Sequence, residues 1–212
     1  MNKTWLEVIA EHSSCTRCHE EGLLHPEARP LFGKFRGERT DLLFVLEAPN
    51  YEDTHDPNKG YLTVEPNTDP SVAFFYKLYT EILAEPIENL VLTNAVLCLP
   101  AGTGGRHPVG MKQMRACSPN LREQVRTLDP MIVVPMGMKA LVATNAVDEH
   151  RLRTMADAVA RPTPWFGRVL FPVFHTGLLA RNGPSGRKAD QQREDWTRLR
   201  DVLVRLRRIK PT

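Results

Sequence analysis

The chain has 212 residues, of which 42% are hydrophobic and 25% charged, and this composition excludes wholesale disorder. No window is apolar for long enough to span a bilayer, and the N-terminus (Met-Asn-Lys-Thr-Trp) lacks an apolar signal core, which predicts a cytoplasmic protein. The net charge of +3 is uneven, because residues 181–212 carry about +6 and the remainder about −3. A basic end favours a nucleic-acid partner, although a solvated arginine-rich helix face explains it equally well.

Four short apolar runs alternate with stretches of helical periodicity along the chain. The runs are residues 42–46, 90–93, 131–135 and 169–174, and the helical stretches are residues 71–83, 111–128, 138–146 and 190–209. Strands alternating with helices predict a parallel sheet covered on both faces. We therefore expect one α/β domain over residues 1–212, with four parallel strands at its centre.

Polar side chains occur at the ends of three of the predicted strands. Glu47 follows the first strand, Asn94 follows the second and His175 follows the fourth. Ligands of parallel sheets bind beyond the carboxyl ends of the strands, so these residues predict an active site at that edge. Each residue also has a structural interpretation. Asn94 would cap the chain after a strand, His175 would be a hydrogen-bonded core histidine, and Glu47 would be a surface carboxylate.

Two long irregular stretches, residues 50–70 and 100–108, interrupt the regular elements. Both are rich in proline or glycine. Connections of this length inside a compact domain are usually functional.

Four cysteines form one close pair, Cys15 and Cys18, and two distant members, Cys98 and Cys117. Disulfides are rare in cytosolic proteins, so the thiols indicate either a metal site or no shared role. Four-cysteine zinc sites usually combine two close pairs. The spacing suits a [4Fe–4S] cluster better, since such a cluster needs four thiolates and no fixed spacing.

The motifs resemble those of the uracil-DNA glycosylase superfamily, in its bacterial and archaeal iron–sulfur branch. Cys15-Thr-Arg-Cys18 is similar to the cluster pair of that branch, and Leu46-Glu47-Ala48-Pro49-x-x-Glu52-Asp53 to its G-E-x-P-G-x-x-E-D motif. The later matches are Thr93-Asn94-Ala95-Val96-x-Cys98, Arg106-x-Pro108, Cys117-x-Pro119-x-Leu121, Pro135-x-Gly137 and His175. Together they run from Cys15 to about Arg193.

This resemblance implies a three-layer α/β/α sandwich and a structural [4Fe–4S] cluster bound by all four cysteines. It also implies a monofunctional enzyme of base-excision DNA repair that flips out uracil or a modified pyrimidine, cuts its N-glycosidic bond and leaves an abasic site. Asn94 would read the flipped base, His175 would stabilise negative charge near the base O2, and Glu47 would orient water or stabilise the sugar cation. A monomer acting on double- or single-stranded DNA, without a membrane, is expected.

Further contacts follow from the same resemblance. The base would contact the backbone around Ala48 and Asn50, together with Tyr61 or Leu62 as a stacking residue. The phosphates would be bound by Arg106, His107, Arg181, Arg187 and Lys188. Leu178 and Leu179 either wedge into the base stack or belong to the core.

Departures from the family motifs concentrate around the pocket. Leu46 and Asn50 replace two glycines of the first motif, Leu97 replaces the usual lysine, and His175-Thr-Gly replaces H-P-S. A remodelled pocket motivates a different substrate, the bulky modified bases of phage DNA, in antiviral defence. The residues are also compatible with a damaged-DNA-binding module without turnover, with covalent capture of the sugar by His107, and with an iron–sulfur redox protein.

Overall fold

A computed structural model describes residues 3–51, 54, 69–102 and 107–209 of the chain. A five-stranded sheet lies at its centre, in the order β2-β1-β3-β5-β4. The strands are β1 at Leu42–Leu46, β2 at Leu92–Asn94, β3 at Ile132–Pro135, β4 at Thr163–Trp165 and β5 at Arg168–Leu170. Neighbouring strands from β2 to β5 pair in parallel, whereas β4 pairs antiparallel with β5. The predicted α/β fold and its four parallel strands are confirmed.

The fifth strand, β4, was not predicted. It has three residues, Pro164 is its middle residue, and it lies at the edge of the sheet. Proline donates no backbone hydrogen bond and is rare inside sheets except at edge strands, strand ends and bulges. A short run containing proline therefore gave no strand signal.

Helices cover both faces of the sheet. They are α1 at Trp5–Ser13, α2 at Pro70–Lys77, α3 at Met111–Leu128, α4 at Met138–Val147, α5 at Met155–Ala158, α6 at Leu178–Asn182 and α7 at Ala189–Ile209. A π-helical segment, Leu78–Leu83, continues α2, and a 3-10 turn, Ile87–Asn89, precedes β2. Within the described ranges, no helix combines the length and apolarity needed to cross a membrane.

Alternating side chains of β1 divide the core into two layers. Leu43 and Val45 belong to a cluster with residues of α1, α3 and α4, whereas Leu42 and Phe44 pack with residues of α2 and α7. This alternation follows from the two-residue period of a strand. The result is a sheet between two helical layers, as the resemblance implied.

Two local hydrogen bonds explain how α3 begins and how it tolerates a proline. The Gly110 N–H donates to the Gln113 side chain. This contact satisfies one of the N–H groups at the start of the helix that have no partner within the helix itself. Inside the helix, Pro119 has no N–H to donate to the Arg115 carbonyl, and the Ser118 hydroxyl donates to that carbonyl instead, at 2.9 Å. Cys117 is thereby kept on a continuous helix.

Candidate active site

The carboxyl edge of the parallel strands brings the three predicted catalytic segments together. Leu46 pairs with Asn94 across β1 and β2, and the N–H of Val96 donates to the Glu47 carbonyl at 3.1 Å. On the other side, the pairing of β3 with β5 continues as a bridge between Met136 and Val173. His175 lies two residues beyond this bridge. Glu47, Asn94 and His175 thus follow strand ends on one edge of the sheet.

The amide of Asn94 is buried and has no hydrogen-bond partner in the part of the chain that the structure describes. The residue is 1% exposed, and neither its Oδ1 nor its Nδ2 contacts a partner among the described residues. Gln124 and Gln192 are also buried, but each keeps one end of its amide hydrogen-bonded. A buried polar group without a partner costs about 1–3 kcal/mol, so an amide unpaired at both ends indicates a site that reads a ligand.

The imidazole of His175 is held in one tautomer. The N–H of Gly177 donates to its Nδ1 at 2.9 Å, so in the neutral ring the proton lies on Nε2. Desolvation by the surrounding protein lowers the pKa of His175, although the Asp69 carboxylate opposes this effect. The ring still reaches solvent. His175 is therefore a neutral, accessible Nε2–H donor near neutral pH.

Two glycines, Gly137 and Gly177, lie against His175. Gly137 has φ +89°, a conformation that other residues rarely adopt, and a Cβ there would lie 3.6 Å from the His175 Cβ. A Cβ on Gly177 would lie 2.9 Å from His175 Nδ1, which is closer than real contacts allow. The glycine of H-x-G is thus a steric requirement of the histidine, whereas the glycine of P-x-G is required by its backbone conformation.

The first motif places its residues at different depths. Glu47 and Ala48 are half-buried, and Ala48 packs against the core on the α3 side. Leu46 is half-buried and packs on the opposite side, and Asn50 is exposed. The bulk of Leu46 is therefore accommodated partly by the core.

Asp69 was missed by the sequence reasoning. It is the N-cap of α2, where its side chain accepts the Ser71 N–H at 2.6 Å, and its carboxylate interacts electrostatically with His175. The Asp69-Pro70 pair is a typical helix start, with a capping residue before a proline at the first helical position. That signal was present in the sequence, inside the long stretch of residues 50–70.

The predicted DNA-contacting residues after His175 differ in their surroundings. Lys188 is exposed, and Arg181 lies 4.6 Å from the centre of the Phe74 ring. Arg187 instead forms two hydrogen bonds, of 2.7 and 2.8 Å, with Asp195, which is 1% exposed. Leu178 and Leu179 are 49% and 89% exposed, so their interpretation as core residues is wrong.

The remaining predicted contacts lie in or beside the two long stretches. Tyr61, Leu62 and Arg106 fall outside the described residues. His107 is half-buried, and its Nδ1 donates to the Pro100 carbonyl at 2.9 Å.

The four cysteines line one pocket. Cys18, Cys98 and Cys117 are buried, Cys15 is half-buried, and none is in a disulfide. The Leu97 N–H donates to Cys117 Sγ at 3.5 Å, and the Asn120 amide donates to Cys15 Sγ at 3.7 Å. Burial raises the pKa of the Cys98 thiol, and the three other cysteines raise it further. In the described part of the chain, no three His, Cys, Asp or Glu side chains are placed to hold a single metal ion.

Comparisons with known proteins agree with this architecture. The profile of the Uracil DNA glycosylase superfamily matches residues 32–200, more than half of the chain. The chain therefore belongs to the uracil DNA glycosylase superfamily, and with it to the DNA glycosylases.

Two curated relatives are similar over most of their length. A Type-4 uracil-DNA glycosylase of Thermotoga maritima is 25% identical over 182 residues, which cover 84% of this chain and 84% of that protein. A Type-4 uracil-DNA glycosylase of Saccharolobus solfataricus is 22% identical over 169 residues, which cover 78% of this chain and 72% of that protein.

Proposed function

We propose that this enzyme flips uracil out of DNA and hydrolyses its N-glycosidic bond, leaving an abasic site in base-excision repair. The observation that carries this proposal is the buried Asn94 amide, which lies at the carboxyl edge of the sheet and has no partner at either end among the described residues. One edge of a uracil ring offers an N–H donor beside a carbonyl acceptor. An amide complements both groups, with its oxygen as acceptor and its nitrogen as donor.

The chemistry follows from the tautomer of His175. As the glycosidic bond breaks, the leaving base accumulates negative charge, which a neutral Nε2–H donor stabilises without first losing a proton. The sugar left behind develops positive charge, and the carboxylate of Glu47 would stabilise it and orient the attacking water. Both groups act from fixed strand ends, so little reorganisation is needed during the reaction.

DNA binding would use the surface that follows His175. Leu179 is 89% exposed on the short helix α6, and a leucine so placed fits the gap that a flipped base leaves in the stack. Arg181 and Lys188 supply phosphate contacts beside it, and His107 and Arg106 remain candidates from the second long stretch of the sequence. Arg187 is a weaker candidate, because its charge is already paired with Asp195.

The cysteine pocket fits a [4Fe–4S] cluster better than a single ion. Four thiols around one pocket match the ligand set of such a cluster, and a single close cysteine pair differs from the two close pairs of usual four-cysteine zinc sites. Cys15, Cys18, Cys98 and Cys117 would hold the cluster, which when bound would link the N-terminal segment, the loop after β2 and α3. Its proposed role is structural, since the hydrolysis assigned to Glu47, Asn94 and His175 needs neither a metal ion nor an electron transfer.

Excision of uracil is tested on end-labelled DNA with one uracil, followed by alkaline cleavage of abasic sites. The protein is purified without oxygen and its iron content is measured. We expect uracil-dependent cleavage that falls on the order of 10²- to 10³-fold in Asn94→Ala. Asn89→Ala is the matched control, because Asn89 is exposed at the opposite end of the sheet. Full activity of Asn94→Ala would reject the assigned role of the amide.

A second substrate class is motivated by Leu46 and Asn50, which stand in place of two glycines of the family motif. If the folded, iron-containing protein leaves uracil untouched, the same assay with modified pyrimidines of phage DNA tests the defence role. Binding without single-turnover excision would indicate a sensor of damaged DNA. An adduct that survives denaturation and is lost in His107→Ala would indicate covalent capture.

A further inference from the structure

Three aromatic side chains meet on segments of which two continue from the candidate active site, and the proposed bond cleavage uses none of them. Tyr51 and His107 stack with their ring centres 6.0 Å apart and their planes 23° apart. The ring of His25 is steeply inclined to both, with its centre 5.8 Å from Tyr51 and 5.9 Å from His107. We refer to these three residues as the aromatic cluster.

The cluster joins three segments that are distant in the sequence. Tyr51 lies on the loop of Glu47, four residues further along, and His107 lies on the loop that follows Asn94 and Cys98. His25 belongs to the segment after the close cysteine pair. Two of the three rings therefore extend from the loops that form the active-site edge.

Hydrogen bonds to the same stretch of backbone hold both histidines in place. His107 Nδ1 donates to the Pro100 carbonyl at 2.9 Å, and the backbone N–H of His25 donates to the neighbouring Leu99 carbonyl at 3.1 Å. The N–H of Glu27 also donates to His25 Nδ1, at 3.4 Å. Rings fixed before binding lose little side-chain entropy on association.

The exposure of Tyr51 distinguishes this cluster from ordinary core packing. The residue is 48% exposed, although a large aromatic side chain gains most from full burial. Every base has a π-face, so an exposed, preorganised ring beside a DNA site offers stacking that tolerates any sequence.

We propose that the aromatic cluster is a stacking platform for an unpaired base of the DNA strand that carries the flipped nucleotide. This inference rests on the proposed function, and the occupant follows from the continuity of Tyr51 and His107 with the loops of Glu47 and Asn94. A base can stack on the ring of Tyr51 only after it has left the base stack of its own strand. The platform therefore favours single-stranded over duplex DNA.

The test measures binding to single-stranded DNA in which the bases around the target are removed one at a time, while the sugar and phosphate of each nucleotide are kept. The target nucleotide is 2′-fluoro-deoxyuridine, because fluorine destabilises the sugar cation and prevents excision. At one neighbouring position, deletion of the base should weaken wild-type binding on the order of tenfold. In Tyr51→Leu, the same deletion should have almost no effect, and Tyr51→Phe should restore the wild-type response.

Phe166→Leu is the matched control, because Phe166 lies in the turn between β4 and β5, at the opposite edge of the sheet. This variant should respond to base deletion as the wild type does. Equal losses in wild type and Tyr51→Leu at every position would overturn the platform, even if uracil excision is normal. Coupling between Tyr51 and one base in a protein that excises nothing would support the platform and reject only the glycosylase reaction.

Discussion

The two edges of the parallel sheet differ in how far their polar side chains are paired. At the amino edge the charges are paired: Arg207 bonds to Asp41 and Glu85 at 2.6 to 3.0 Å, and Arg168 bonds to Asp129 at 2.8 Å. At the carboxyl edge, the amide of Asn94 has no partner among the described residues, and His175 keeps its Nε2–H for another group. Pairing of the side chains at the amino edge stabilises the fold. At the carboxyl edge, the side chains keep donors and acceptors that can bind a substrate.

This difference predicts that function and stability oppose each other at Asn94. Asn94→Leu replaces a buried amide, unpaired within the described ranges, with an apolar side chain of similar shape. We expect the free energy of unfolding to rise by about 1–3 kcal/mol, because the desolvation cost of the amide is removed. Urea unfolding measures the change, and uracil excision should be lost in the same variant.

A fall in stability would show that Asn94 has partners in the folded protein. The carboxyl edge would then be as fully paired as the amino edge, and the proposed reading of a base would lose its main support. Thr144→Val is a suitable reference, since this buried threonine is hydrogen-bonded to Leu141 and its loss should destabilise the protein.

At the amino edge, loss of pairing should lower stability and leave the chemistry intact. Arg207→Met keeps most of the aliphatic packing and leaves Glu85, whose side chain is 11% exposed, without its cation. We expect a loss of about 1–2 kcal/mol in the free energy of unfolding, between the values for exposed and buried ion pairs. Excision of uracil should be unchanged. A matching fall in excision would mean that the two edges are coupled.

The sequence predicted the carboxyl edge better than its surroundings. Glu47, Asn94 and His175 were placed correctly at strand ends because parallel strands all end at one edge, which is a general property of the fold. The contact of His25 with Tyr51 and His107 was not predictable, since it joins three distant segments and leaves no local pattern. The sequence left open whether Leu179 is exposed or buried, because an apolar residue after a strand is usually buried, whereas this one lies on a helix of five residues.

The smallest effect concerns the acidic limb of the pH profile. Desolvation lowers the pKa of His175 below its ordinary value of 6.5, so excision should persist below pH 6.5 and fall only as the ring becomes protonated. The carboxylate of Asp69 favours the protonated ring and thus raises the pKa of His175. Asp69→Asn keeps a side chain that caps α2 and removes the charge. The acidic limb should therefore move to lower pH, by a fraction of a pH unit.

Single-turnover excision across pH 4 to 8 measures this shift, with Asp190→Asn as the control because Asp190 is an exposed carboxylate at the start of α7. An unchanged limb in Asp69→Asn would mean that His175 does not titrate in the reaction. The acidic limb would then report another ionisable group, and it would give no support to the assigned role of His175 as a neutral donor. A shift to higher pH would mean that Asp69 acts by positioning the ring, because loss of its charge alone moves the limb the other way. Either result would separate the electrostatic role of Asp69 from its role as the cap of α2.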